Sequence, residues 1–456
     1  MSAQVHNGLL ALIVFGAGIL PIVFRKKMRL NRWWRPWGRS HETGSNLRQA
    51  TLAFWRNVMA RSRKVFLPGE TRRRPGLPKT GMYLSESNRG GKRSAMDFAV
   101  RLREQITRYR PEYRGALVEF QREMFGAESW QADTEHFQWL FARNPFHEKG
   151  TLPVWLCLQD GRVVGQQCAI LTELNIRNQM HKAAWAVDLM VRPEWRMKGV
   201  GPALSETSVS ENGITAVIGV TDPAYKAFLR AGWIDLGLVP EFVRPVDVAS
   251  FMRVRSFDRR FTALAGPAAA WLMRMQHRVL MACAYPSKAV TQVIPIFDSR
   301  VDQLWLEVKE RYPVIARRDW QALHWRFDSV SDPSRYCRIY LLEQDKLRGY
   351  AVVQMSTRDG LPIAVIVDYL ASPRWQAPLI ASCIHHLQTT AAAIYCATLN
   401  PALHASLRML GFIRSSSSRR FMVRLPDGYE GLQTVLADRQ NWFVTMADSD
   451  YEFSWP

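Results

Sequence analysis

The stretch Val187-Asp-Leu-Met-Val-Arg-Pro-Glu-Trp-Arg196 recurs as Val367-Asp-Tyr-Leu-Ala-Ser-Pro-Arg-Trp-Gln376, with Val187, Asp188, Pro193 and Trp195 each matched 180 positions later. Downstream, Thr221-Asp-Pro-Ala…Leu229-Arg-Ala-Gly-Trp233 is answered by Asn400-Pro-Ala-Leu…Leu407-Arg-Met-Leu-Gly-Phe412. Upstream, Trp139-Leu-Phe141 echoes Trp325-Arg-Phe327, and the hairpin through Gly165 echoes that through Gly349. Four matches in one order are not coincidence; the body of the chain is two copies of one unit. The chain then divides into a head (1–95), a first domain (96–245), a helical linker (246–289), a second domain (290–430) and a C-terminal extension (431–456). Each copy has an ordinary domain size.

Hydrophobic periodicity supplies the elements of the first copy. Ile106–Arg110 reads as a short strand, and Tyr113–Phe125 and Phe137–Ala142 as helices. Val154–Leu158 and Val163–Ile176 form a hairpin across Asp160-Gly161, and Ala183–Val191 continues the meander after a polar turn. A glycine-containing loop, a helix from Pro202, a strand Ala216–Val220, a helix Ala224–Ala231 ended by Gly232 and a strand within 233–243 complete the unit. The fold class is α/β, an α+β sandwich in which a mixed, mostly antiparallel central sheet is flanked by helices, repeated in tandem.

The net charge of +21 resembles a nucleic-acid signature until it is located. The basic excess sits in residues 25–95, whereas the body is nearly balanced, so nucleic acid is not expected as a partner of the body. Gly8–Phe24 is an uncharged apolar run followed by Arg25, Lys26 and Lys27. As a helix it reaches about 26 Å, slightly short of a hydrocarbon core of about 30 Å, which gives a weak anchor on the cytoplasmic face of a membrane. Residues 25–95 read as a disordered basic arm, and Met96 opens a regular sequence and marks an alternative start. Six scattered cysteines without CxxC spacing fit a reducing, cytoplasmic compartment and no structural zinc site. No histidine spacing indicates a metal, and no GxSxG nucleophile elbow is present. Between the copies, Phe251–Ala284 mixes arginines with an apolar face and reads as a helix packed between domains.

The loop Arg196-Met197-Lys198-Gly199-Val200-Gly201 stands between an apolar strand and a helix. Two glycines let the backbone approach a ligand closely, and the helix start offers free N–H groups suited to a pyrophosphate. Arg192, Arg196 and Lys198 add positive charge. Strand, RxxGxG loop and helix together resemble the acyl-CoA motif Q/R-x-x-G-x-G/A of the GCN5-related N-acetyltransferase (GNAT) superfamily, and TDPAYKAFLRAGW resembles the segment that follows it there. The resemblance implies acetyl-CoA or another acyl-CoA as co-substrate, with Leu189, Met190 and Val191 along the pantetheine arm and Arg196 to Gly201 around the pyrophosphate. One departure is Pro202, which removes a potential donor N–H.

In the second copy the corresponding loop reads Gln376-Ala-Pro-Leu379-Ile-Ala381. Leu379 stands where the first copy has Gly199, and the second copy is expected to be non-catalytic. The resemblance further implies direct attack of an amine on a thioester, with an oxyanion held by backbone N–H groups around Met190–Val191. Asp188 is the first candidate base, although Asp368 survives in the second copy; Asp222 is an alternative. The general-acid tyrosine of many GNATs is here Phe228, leaving Tyr225, one turn earlier, as a candidate acid.

The resulting expectation is an acyl-CoA-dependent acyltransferase, an N-acetyltransferase acting on the amine of a small-molecule, sugar or cell-envelope acceptor. Two alternatives stand beside it. One is a FemAB-like aminoacyltransferase using aminoacyl-tRNA; the other is a non-catalytic binding protein with two degenerate lobes.

Overall fold

The structure is a computed structural model that describes residues 102, 104–147, 150–254, 266–276, 278 and 289–454. The apolar run 8–24, the basic arm and part of Phe251–Ala284 lie outside the described residues. Among the described residues no helix is long and apolar enough to cross a membrane.

The first copy builds β1 (Ile106–Arg108), α1 (Arg114–Phe125), β2 (Val154–Gln159), β3 (Arg162–Ile176), β4 (Gln179–Val191), α2 (Val200–Asn212), β5 (Ile214–Ile218), α3 (Asp222–Arg230) and β6 (Ile234–Pro245). After α4 (Val248–Val254), the second copy builds β7 (Ala289–Ile294), α5 (Arg300–Val308), β8 (Val314–Ala316), β9 (Tyr336–Glu343), β10 (Lys346–Arg358), β11 (Leu361–Ala371), α6 (Pro373–Leu387), β12 (Ala393–Ala397), α7 (Pro401–Met409) and β13 (Ile413–Arg424). A two-residue strand, β14 (Trp442–Phe443), pairs with β8. Equivalent hairpins turn on paired left-handed residues, Asp160-Gly161 and Gln344-Asp345, then Arg177-Asn178 and Asp359-Gly360. Such pairs match the right-handed twist of the strands they join.

The strands form one mixed, mostly antiparallel sheet in the order β1-β2-β3-β4-β5-β13-β6-β12-β11-β10-β9-β7. That order is a palindrome: exchanging each strand for its counterpart in the other copy reverses the sequence. The axis falls between β13 and β6, which pair antiparallel, as two-fold neighbours must. Each copy's last strand therefore lies beside the other's fifth, β13 on β5 and β6 on β12. Neither sheet is finished without its twin, and all described residues belong to one compact unit.

Apolar side chains on both faces of the sheet close the core. Trp139, Trp155, Trp185 and Trp442 are among the largest fully buried side chains. Trp139 and Trp325 sit in matching turns of π-helix, Gln138–Ala142 and His324–Asp328. Gly165 and Gly349 are also matched, because a helix crosses the sheet directly above each. A Cβ on Gly165 would lie 2.9 Å from Val200 Cγ1 on α2, and one on Gly349 would lie 3.3 Å from Leu379 Cδ2 on α6.

Candidate active site

The strands β4 and β5 pair in parallel only over Ala183–Trp185 and Ile214–Ala216, although β4 runs on to Val191 and β5 to Ile218. Past Trp185 they separate, leaving one edge of β4 facing a groove. Arg192 donates its N–H to Val164 O at 2.9 Å across the β3–β4 ladder. By alternation, Met190 also spends its N–H on β3, whereas Val191 turns its backbone to the groove. Of the two N–H groups expected to hold an oxyanion, then, that of Val191 is the one the β3–β4 ladder does not use.

The glycine turn closes one end of this groove. Arg196, Met197, Lys198 and Gly199 are exposed, and Val200 is buried over Gly165. Met197 and Gly199 both adopt left-handed backbone, φ 62° and 82°. Gly199 caps α2 without any side-chain bond, so the helix start presents the N–H groups of Val200 and Gly201 unfilled. Pro202 has none, and Ala203 returns its own to Gly199 O at 3.0 Å. Gly201 is less constrained: a Cβ there would meet only Val191 Cγ2, at 3.8 Å. The surrounding cations are not equivalent. Lys198 Nζ rests 4.8 Å from the centre of the Trp195 ring, and Arg196 Nε binds Val191 O at 3.0 Å. Arg192, counted in the sequence among the loop's positive charges, is instead buried, donates to Val163 O at 2.8 Å and pairs with Glu123.

Asp188 sits on a bulge of β4. The β3–β4 register slips between Gln166/Met190 and Cys168/Val187, and Asp188 takes φ 54°. A bulge leaves ladder carbonyls unpaired. Two glutamines cover them here: Gln166 donates to Asp188 O at 3.2 Å and Gln167 to Val187 O at 2.7 Å. The Asp188 carboxyl accepts from Gln131 at 3.3 Å and, among the described residues, has no ion-pair partner. Burial first, and Asp450 second, push it up to about 8. Asp450, from the C-terminal extension, is itself raised to about 6 by burial. Sequence reasoning missed Gln166, Gln167, Gln131 and Asp450. The glutamine pair inside the apolar strand VVGQQCAIL was a legible signal of buried polarity; Asp450 had no such signal.

The structure does not bring the other two candidates to this carboxyl pair. Asp222 is exposed in the first turn of α3, whose N-cap is Thr221, and no side-chain cap bond forms there. The Tyr225 hydroxyl donates to Asp235 at 2.9 Å, and Arg420 lies 4.0 Å over its ring. The bond to Asp235 raises the phenol above its ordinary value. Phe228 is buried, stacked on Trp233 at 4.6 Å.

The second copy departs further from the first than its sequence implied. Gln376-Ala-Pro-Leu-Ile-Ala381 is not a loop: α6 begins at Pro373 and runs through it, with Pro378 inside the helix. Leu379 is fully buried and would touch a Cβ on Gly349 at 3.3 Å. The gap corresponding to the groove is filled by Tyr369, whose hydroxyl meets Thr398 Oγ1 at 2.9 Å and Asn400 Nδ2 at 3.1 Å. Asp368, the counterpart of Asp188, is locked by Arg318 at 3.2 Å, Tyr350 OH at 2.7 Å and Thr445 Oγ1 at 2.7 Å. Asp368, Tyr369 and Leu370 are buried, whereas Asp188, Leu189 and Met190 are only half-buried. Surface cavities of 300 and 400 Å³ lie elsewhere, beside Arg177 and Pro313 and beside Trp305 and Trp320, and include no residue of the glycine turn. Among the described residues no group of His, Cys, Asp and Glu side chains is placed to hold a metal.

No protein-family model matches the sequence, and no curated protein matches it. The likeness is structural. A GCN5-related N-acetyltransferase from Anabaena variabilis superposes with a TM-score of 0.50 at 14% identity, over 70% of this chain and 72% of that one.

The fold is that of the GNAT superfamily.

Two further solved structures superpose at lower scores. An N-acetyltransferase of this type from Kribbella flavida gives a TM-score of 0.45 at 14% identity, covering 73% of each chain. Saccharomyces cerevisiae N-myristoyltransferase with bound myristoyl-CoA gives 0.45 at 12% identity, over 70% of this chain and 78% of that one.

Proposed function

We propose that the chain is an acyl-CoA-dependent acyltransferase whose first copy carries the reaction and whose second copy is structural. One observation carries this reading: the same strand edge is open at Asp188–Met190 and sealed at Asp368–Leu370. Evolutionary copies that differ in this way point to a groove kept for a ligand. The diphosphate of coenzyme A would lie at Val200 and Gly201 N–H, where the helix dipole favours negative charge. The pantetheine would pair with the free edge of β4, and Val191 N–H would face the thioester oxygen.

The acceptor in this reading is an amine, acetyl being the simplest acyl group transferred. Sugar and cell-envelope amines belong to the same proposal. Tyr225 is assigned no proton transfer, because its hydroxyl is already engaged by Asp235. The test is turnover: release of free coenzyme A thiol from acetyl-CoA across a panel of amines. Amine-dependent release abolished by Gly199→Leu supports the reading, and turnover that needs aminoacyl-tRNA instead would replace it with the FemAB-like alternative.

A further inference from the structure

We propose that the linker between the two copies lays the outer face of helix 266–276 on a membrane surface rich in anionic lipid, with Trp271 among the headgroups and Arg274 and Arg278 against their phosphates. The inference goes beyond the acyltransferase reading and does not depend on it.

The linker helix has two faces with different uses. Gly266, Ala269 and Met273 recur at helical spacing and are buried; Ala269 and Met273 pack in a small cluster with Val248 and Met252 of α4. On the same side, Gln276 donates to Met409 O at 2.6 Å and so ties the helix to the end of α7. The opposite face carries Pro267, Trp271 and Arg274, all exposed, and Arg278 follows at the same spacing. A helix that only bridged two domains would bury its largest apolar side chain, yet Trp271 is 57% exposed. Among the described residues the other exposed tryptophan is Trp320, whose indole N–H is held by Phe297 O at 3.1 Å and whose ring stacks on His324. Trp271 has no such partner among the described residues.

Charge and apolar surface continue onto the neighbouring helices. α4 ends in Arg253 and Val254, and α7 in Arg408 and Met409, all exposed. Neither α4, α7 nor helix 266–276 contains an acid. Asp247, just before α4, spends its carboxylate on the Ser250 N–H at 3.1 Å. Among the described residues Arg274, Arg278 and Arg408 form no ion pair.

Charge complementarity decides the occupant. Cations without neighbouring acids attract an anionic lipid surface, and tryptophan prefers the boundary between headgroups and acyl chains. Val254, Met409 and the half-buried Leu272 and Met275 add aliphatic surface that a bilayer takes up. A nucleic acid would leave that surface wet, and one indole is not a run of stacking platforms.

The test is co-sedimentation of the full chain with vesicles of phosphatidylcholine, alone or with about 30% phosphatidylserine. Wild type is expected to partition at least about tenfold more onto the anionic vesicles. Reversing both charges, Arg274→Glu with Arg278→Glu, is expected to lower that partitioning about tenfold, and Trp271→Ser about threefold. The same reversal at exposed Arg122 of α1 and Arg374 of α6 is expected to cost less than about threefold, which separates this face from net charge and from the basic residues 25–95. Trp271→Ser supplies the answer if the double variant does not fold. No preference for anionic vesicles, linker variants that bind as wild type does, or control variants that lose as much overturns the inference. So does loss of single-stranded RNA binding in the linker variants with vesicle binding retained.

Discussion

Trp139 and Trp325 each donate an indole N–H to the other's backbone carbonyl, at 2.8 and 2.9 Å, with their rings stacked 6.0 Å apart. This reciprocal pair joins the two copies where the palindromic strand order requires a two-fold relation. Both residues are buried, so replacing either indole with phenyl strands a carbonyl away from water. Trp139→Phe and Trp325→Phe are each expected to cost about 1–3 kcal/mol in urea unfolding. A measurable cost in only one of them would contradict the symmetry.

Gly165 and Gly349 test the helix crossings. The tightest contacts a Cβ would make at Gly165 are side-chain ends, Val200 Cγ1 at 2.9 Å and Leu204 Cδ1 at 3.0 Å, with Met190 O no nearer than 3.4 Å, but at Gly349 they include Leu370 O at 3.0 Å. A backbone carbonyl yields less readily than a rotamer. Gly349→Ala is therefore expected to lose about 1–3 kcal/mol and Gly165→Ala less, by chemical denaturation. Gly165→Ala should also weaken acyl-CoA binding, because the displaced Val200 opens the helix start proposed to hold the diphosphate.

Much of this architecture was legible in the chain. The alternation of the strands and the helices between them placed the chain in the α/β class, and the residues matched in sequence, Trp139/Trp325 and Gly165/Gly349, occupy corresponding positions in the sheet and its turns. What escaped was long-range. No local pattern tells that β6 and β13 cross to the opposite copy, since either strand has the same alternation wherever it pairs. Gln376–Ala381 aligns with a loop, yet without Gly199's left-handed φ nothing stops the helix from starting at Pro373. Arg192 looked free because its partners, Val163 O and Glu123, are distant in sequence. Asp450 was hidden for the same reason.

The Asp188–Asp450 pair fixes a pH dependence. Both carboxyls titrate above their ordinary value of 3.8 in the folded chain. Between about pH 4 and pH 8 the native state then holds more protons than the unfolded one, and stability falls as pH rises. Asp450, Cys168 and Gln131 face Asp188, with Arg326 and Arg419 acting on Asp450. Asp188→Asn is expected to melt close to wild type at pH 4 and above it at pH 9. Identical melting at both pH values would show that the carboxyl is not perturbed.

Tyr225 makes an internal control. Its hydroxyl already donates to Asp235, which also pairs with Arg420 at 2.6 Å. Tyr225→Phe is expected to keep kcat within about threefold and to leave its pH profile unmoved. A loss of about a hundredfold with a vanished basic limb would restore the phenol as the general acid.

We propose that the first copy's glycine turn is a diphosphate site that the second copy has lost. Calorimetric titration of acetyl-CoA into the wild type, Gly199→Leu and Gly201→Ala tests it most directly. Gly199 has φ 82° and Gly201 has room for a methyl group. The expected result is micromolar binding, of about −8 kcal/mol, that survives Gly201→Ala and is lost in Gly199→Leu. Binding that Gly199→Leu leaves untouched, or no binding to the wild type, would contradict it.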